Sequence, residues 1–237
     1  MYLKSIVIHP EKYPDTQNYP FALRIFQNTK DLSFDHPVTF FVGENGTGKS
    51  TLLKAICQKC HIYIWEEERI HYSSNPHEND FYKYLNVHWA DSSVPGSFFG
   101  SHIFNDFARF LDNWARATPA ILDYFGGSSL LTQSHGESFL SFFRAIYKVK
   151  GLHFLDEPET ALSPASQIKL LKVFKEASPH AQFIIATHSP ILLSYPNSTI
   201  YSFDSESVQP IKYEDTQYFR TYSDFFRNRE KYIADLY

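Results

Sequence analysis

The eight residues Gly43-Glu44-Asn45-Gly46-Thr47-Gly48-Lys49-Ser50 constrain this chain more than any other segment. They follow the apolar run Val38-Thr39-Phe40-Phe41-Val42 and precede the helix-forming stretch Thr51-Leu52-Leu53-Lys54-Ala55-Ile56. Strand, glycine-rich turn and helix in that order spell a P-loop and predict an α/β fold. Glycines at 43, 46 and 48 let the backbone take conformations closed to other residues, so that successive N–H groups point inward at phosphate oxygens. Lys49 adds a mobile positive charge for β- and γ-phosphates, the Ser50 hydroxyl is placed for Mg²⁺, and the helix start brings its partial positive charge. Asn45, Gly46, Thr47, Gly48, Lys49, Ser50 and Thr51 are therefore the candidate contacts, and a nucleoside triphosphate is the expected ligand.

A second apolar strand, Leu152-His153-Phe154-Leu155-Asp156-Glu157, ends in adjacent carboxylates. Neighbours on a strand point to opposite sides, so the two carboxylates divide the work. Asp156 is expected to face the P-loop and hold Mg²⁺ through water, and Glu157 to deprotonate the water that attacks the γ-phosphate. A third strand, Gln182 to Ala186, ends at Thr187-His188-Ser189-Pro190. Beside the carboxylate strand in a parallel sheet, it would deliver His188 to the edge where the phosphates lie. Gln133-Ser134-His135-Gly136-Glu137-Ser138 precedes the apolar helical stretch Phe139 to Tyr147. Alone, it is a weak sign of an anion-binding helix start and reads better as an ordinary N-cap.

Together the four segments resemble the ABC-type ATPase superfamily, in which P-loop, signature motif, acidic strand and switch histidine occur in this order. Asp156 lies 20 residues beyond Gly136, and His188 lies 32 beyond Asp156. The resemblance implies ATP and Mg²⁺ as cofactors and ATP hydrolysis as the activity. It makes Ser134, Gly136 and Glu137 signature residues, with His135 at the place of the first of the usual paired glycines. It is strongest to small stand-alone bacterial predicted AAA-family ATPases related to the SMC, RecF and OLD-type ATPases. Pro37 to Gly46, Asp156-Glu157-Pro158-Glu159, Ala161-Leu162-Ser163-Pro164 and Ala186 to Leu193 carry it. A signature on the far side of the helical subdomain implies an ATP-dependent head-to-tail homodimer with composite sites.

Two departures from that pattern stand out. No glutamine occurs between Gln58 and Gln133, where ABC-type proteins place one against Mg²⁺. Ser101 or His102 is the candidate replacement, with a plain helix-start serine as the alternative. After the acidic strand, Leu162-Ser163-Pro164 replaces the usual aspartate-bearing loop, and Ser163 and Pro164 suit an N-cap and first helical residue.

The 237 residues, 43% hydrophobic and 17% aromatic, suffice for one sizeable core, so a single domain over residues 1–237 is expected. Its antiparallel flank would comprise Leu3 to Ile8 and Phe21 to Phe26, feeding a mixed sheet. A helical subdomain is expected at about 66–129, with an amphipathic helix from Ile103 to Ala117, and residues 215–237 should be helical. No apolar run approaches the roughly 18 residues that cross a bilayer, and the first ten residues do not read as a signal peptide. A cytoplasmic chain without membrane insertion is expected. A net charge of −4 argues against strong nonspecific DNA binding. Arg220, Arg227, Arg229 and Lys231 read best as a solvated helix face. Cys57-Gln58-Lys59-Cys60-His61 spells a haem-attachment pattern, but at the end of the P-loop helix it is better read as reduced, structural thiols.

These expectations favour a soluble Mg²⁺-dependent ATPase acting on an unidentified protein or nucleic-acid partner. The ATP-binding subunit of a membrane transporter is the first alternative. A P-loop small-molecule kinase is the second, disfavoured because it gives Glu157, His188 and the signature no roles.

Overall fold

A computed structural model describes residues 1–64, 77, 79–101, 104–132 and 135–234. Among the described residues, nine strands form two sheets: β1 Leu3–Ile8, β2 Asp31–Ser33, β3 Val38–Val42, β4 Leu85–Trp89, β5 Gly96–Gly100, β6 Gly151–Asp156, β7 Ala181–Ala186, β8 Thr199–Ser202 and β9 Gln209–Pro210. The helices are α1 Arg24–Asn28, α2 Lys49–Lys59, α3 Phe104–Ala117, α4 His135–Ile146, α5 Pro164–Ala177, α6 Pro190–Leu193, α7 Gln217–Arg227 and α8 Arg229–Ile233. The main sheet runs β5-β6-β7-β3-β8-β9, parallel through β8, with β9 antiparallel at the edge. The smaller antiparallel sheet runs β2-β1-β4.

Both faces of the main sheet are covered, which explains why its central strands read as unbroken apolar runs. Alternate residues enter opposite cores. Phe41, Phe154, Ile184 and Ala186 pack with Leu52, Leu53 and Ile56 of α2 and with Leu3 and Ile6 of β1. Phe40, Val42, Leu155, Phe183 and Ile185 pack on the other face with Ala108 of α3, Phe139 and Phe143 of α4 and Phe174 of α5. Phe104 and Phe139 stack at 4.0 Å between ring centroids, joining α3 to α4. As expected, Ser163 caps α5, accepting from the Ser166 N–H at 3.2 Å, with Pro164 in the first turn.

Two local expectations are corrected. Phe21 to Phe26 is not a strand: Arg24–Asn28 is a helix, and Phe21, Ile25 and Phe26 are all buried at helical spacing. Thr29 closes that turn by donating from Oγ1 to the Ile25 carbonyl at 2.6 Å. The stretch 66–129 is not uniformly helical, since it supplies β4 to the antiparallel flank and β5 to the main sheet. The C-terminal region is helical as expected, in two helices, α7 and α8, that meet at Asn228. There Arg220 and Lys231 pair with Asp215 and Asp224 on the exposed surface. Cys57 and Cys60 are free and buried in one core, and burial pushes both thiols up, Cys60 to about 12.

Candidate active site

The register of the parallel sheet assembles the site. Phe41 of β3 pairs with Ala186 of β7, Ala186 with Asp156 of β6, and Asp156 with Gly100 of β5. Four strands therefore end in one row, and the residues that follow them, Gly43, Thr187-His188, Glu157 and Ser101, emerge along one carboxyl edge. In an open parallel sheet that edge forms the ligand crevice.

At the β3 end, the loop turns through Gly43 and Gly48, with φ of 155° and 100°. A Cβ on Gly48 would lie 2.7 Å from the Phe26 ring, and one on Gly43 would lie 2.9 Å from Asp204 Oδ1. Only glycine fits either position. Asp204, just past β8, accepts from the Glu44 N–H at 2.7 Å and fixes the start of the loop. Thr47 Oγ1 donates to the Glu44 carbonyl at 2.9 Å, and the Gly46 φ of 81° completes the turn. Asn45 lies at the exposed tip. Lys49, 4% exposed, donates from Nζ to the carbonyls of Gly43 at 2.7 Å and Glu44 at 2.9 Å. Burial lowers its pKa, opposed by the carboxylates of Glu157, Asp204, Asp156 and Glu44.

Ser50 Oγ donates to Asp156 Oδ1 at 2.8 Å, joining the first turn of α2 to the end of β6. Asp156 is 7% exposed. A hydroxyl beside a carboxylate is a hard oxygen pair at the mouth of a phosphate loop, and it fits Mg²⁺, which takes few protein ligands and completes its shell with phosphate oxygens and water. Thr51, the next residue, meets the hydroxyl of Tyr19, which brings an exposed aromatic ring to the start of α2.

Glu157 has a left-handed backbone, φ 47° and ψ 54°, held by its N–H donating to the Ala186 carbonyl at 2.9 Å. Such a conformation in a non-glycine residue costs about 1–3 kcal/mol, and here it turns the carboxylate into the crevice. Glu157 Oε1 lies 3.4 Å from His188 Nε2. That separation is an electrostatic contact without hydrogen-bond geometry, and Nε2 has no hydrogen-bond partner. The His188 N–H donates to Glu159 Oε1 at 2.6 Å, and His188 Nδ1 meets the Tyr218 hydroxyl. Burial and Lys49 lower the His188 pKa while Glu157 raises it, with a net downward direction. Burial raises the Glu159 pKa, partly offset by the His188 N–H.

Lys49, Ser50, Asp156, Glu157 and His188 thus lie along one edge of the sheet. Gly136 and Glu137 stand in the first turn of α4, and a Cβ on Gly136 would lie 3.3 Å from Ser166 Oγ on α5. They occupy the α4–α5 side of the sheet, whereas α2 packs in the opposite core. Ser134 and His102 lie outside the described residues. Ser101 directly follows Gly100, the register neighbour of Asp156. Sequence reasoning missed Asp204, Tyr218 and Tyr19 and gave Glu159 no role. Asp204 had a readable signal, an apolar strand ending in a carboxylate. Tyr218, 30 residues from His188 and 175 from Gly43, had none.

Comparisons with known proteins agree with this architecture. A family described as "AAA domain, putative AbiEii toxin, Type IV TA system" matches residues 132–194, and a second AAA domain family matches 22–60. A curated relative, the cytochrome c biogenesis ATP-binding export protein CcmA of Bartonella quintana, is 26% identical over 175 residues, covering 70% of this chain and 82% of its own. The SMC head domain from Thermotoga maritima superposes with a TM-score of 0.52 at 18% identity, covering 90% of this chain and all of that one. The transporter component cbiO1 from Clostridium perfringens gives 0.53 at 14% identity, covering 95% and 96%. The chain has the fold of P-loop ATP-binding domains and is similar to AAA domain families over residues 22–60 and 132–194. Its fold is common to SMC heads and to transporter ATP-binding proteins alike. No helix among the described residues is long and apolar enough to cross a membrane.

Proposed function

We propose that the chain is a Mg²⁺-dependent ATP hydrolase that dimerises on ATP and acts on, or regulates, a macromolecular partner. The observation that carries this reading is the 2.8 Å bond from Ser50 to Asp156, with Glu157 and His188 on the same edge. Lys49, now bonded to loop carbonyls, exchanges them for β- and γ-phosphate oxygens. Ser50 and Asp156 would hold Mg²⁺, which supplies positive charge to those oxygens. Glu157 accepts a proton as a water oxygen bonds to the γ-phosphorus. The bond from that phosphorus to the β,γ-bridging oxygen breaks, and ADP and phosphate leave. His188 donates from Nε2 to the γ-phosphate, and the gain comes from positioning and charge stabilisation.

Dimerisation is supported by the placement of Gly136 and Glu137 across the sheet from α2, which favours a signature serving a second subunit's nucleotide together with Ser134. Ser101, which directly follows the register neighbour of Asp156, is a candidate substitute for the absent glutamine. Two unpaired cysteines three residues apart support a reducing, cytoplasmic setting. The likeness to CcmA favours, as a second reading, the ATP-binding subunit of a transporter, which co-purification with a membrane protein would reveal. Light scattering of Glu157→Gln tests the dimer. A doubling of mass on adding ATP is expected, and an unchanged monomer with ATP bound would overturn it.

A further inference from the structure

His188 is held at three points, and the third comes from an unexpected part of the chain. Its N–H is fixed by Glu159, its Nε2 faces Glu157 at 3.4 Å, and its Nδ1 meets the hydroxyl of Tyr218 on α7. The same hydroxyl lies 3.3 Å from the carbonyl of Gly43, the first P-loop glycine. A phenol has one proton and a neutral imidazole has one N–H, so only two wirings are open. In one, Nδ1–H donates to Tyr218, which donates to Gly43. That leaves the bare Nε2 lone pair against the Glu157 carboxylate, two acceptors facing each other. In the other, Nε2 carries the proton toward Glu157, and Tyr218 donates to Nδ1. Gly43 loses little, because its carbonyl already accepts from Lys49 at 2.7 Å.

The geometry points to Tyr218 as a positioning residue that donates to Nδ1 and holds His188 in the tautomer protonated at Nε2, so that helix α7 sets the proton His188 offers at the phosphate edge. Helix α7 is built to hold that position. Thr216, buried, caps it by accepting from the Phe219 N–H at 3.3 Å, and the rings of Tyr218 and His188 meet edge-on at 5.1 Å between centroids. The mechanistic use of this tautomer rests on the hydrolase reading, because only an Nε2–H can donate to a γ-phosphate. The tautomer itself does not depend on that reading.

The test is imidazole ¹⁵N spectroscopy of the full, nucleotide-free chain at neutral pH, with the His188 signal among the 11 histidines assigned by its loss in His188→Gln. Wild type should show the Nε2–H pattern, and Tyr218→Phe a mixture of both tautomers. ATP turnover by Tyr218→Phe should fall about tenfold in kcat with little change in KM, the scale of one lost hydrogen bond. Tyr213→Phe is the control, since Tyr213 donates to the Pro190 carbonyl at 3.0 Å and does not touch His188. It should leave both the spectrum and kcat unchanged. An Nδ1–H pattern in wild type, an unchanged pattern in Tyr218→Phe, or equal effects from both variants would overturn the inference. Wild type with the expected spectrum but no ATP turnover would instead count against the hydrolase reading alone.

Discussion

Ser50 Oγ donates to Asp156 Oδ1 across 2.8 Å, tying residues 106 apart in sequence into one oxygen pair. The pair exists because β3 and β6 end level in a sheet whose register passes through Ala186. Asp156→Asn keeps an oxygen acceptor for Ser50 but removes the negative charge. The Mg²⁺ concentration needed for half-maximal activity should rise by roughly 10- to 100-fold, the range seen when a group that orients a metal is lost. A magnesium titration of activity checks this.

Gly48→Ala is expected to damage the loop from two directions. The added Cβ would sit 2.7 Å from the ring of buried Phe26, and φ is 100°. The strain is on the order of 1–3 kcal/mol, and the loop must shift to relieve it. Urea unfolding should show a lowered midpoint, and ATP affinity should fall with it. Gly46→Ala is the comparison, because its Cβ would meet nothing within 4 Å and only the φ of 81° opposes it.

Acid should destabilise the chain through His153. This side chain is 3% exposed, Ser97 Oγ lies 2.9 Å from its Nδ1, and burial lowers its pKa from 6.5 to about 4. The unfolded chain binds the proton first, so stability is unaffected above the unfolded pKa and falls as pH drops from 6.5 toward 4. The full loss across that window is roughly 3 kcal/mol. His188 shifts in the same direction but is partly exposed and contributes less. Urea midpoints measured against pH should decline less steeply in His153→Leu than in wild type. Parallel declines would assign the acid sensitivity elsewhere.

What was legible in the sequence follows from how each element is buried. Strands β3, β6 and β7 are covered on both faces, so their apolar runs announced them, and Asp156, Glu157 and His188 sit at or just beyond a strand end. Residues 21–26 misled because six residues of mixed polarity fit a two-fold or a four-fold period, and contacts with distant segments decide it, Tyr13 donating to the Phe26 carbonyl and the Phe26 ring packing on Phe81. Strand β5 was hidden by its glycines. A Cβ on Gly96 would lie 2.0 Å from the Leu152 carbonyl, so the residue that suggests a loop is the one that lets β5 approach β6. Tyr218 was out of reach because its partners lie on segments that only the folded chain brings together.

The proposal that residues 134–137 serve a second subunit's nucleotide predicts complementation. Lys49→Ala should lose ATP binding, and Ser134→Arg should keep it while failing to dimerise or turn over. Mixing the two inactive variants should restore part of the activity, because one site of the heterodimer combines an intact P-loop with an intact signature. Phosphate release by the mixture, compared with each variant alone, reads the outcome.

The most direct test of the central claim compares phosphate release and ATP binding in wild type and Glu157→Gln. Glutamine keeps the shape of the side chain but cannot take the proton of the attacking water. Wild type should release phosphate from ATP only with Mg²⁺, and the variant should bind ATP equally well yet turn over slower by about 100-fold or more. Equal rates in the two proteins, or no ATP binding in either, would contradict a hydrolase built on this edge of the sheet.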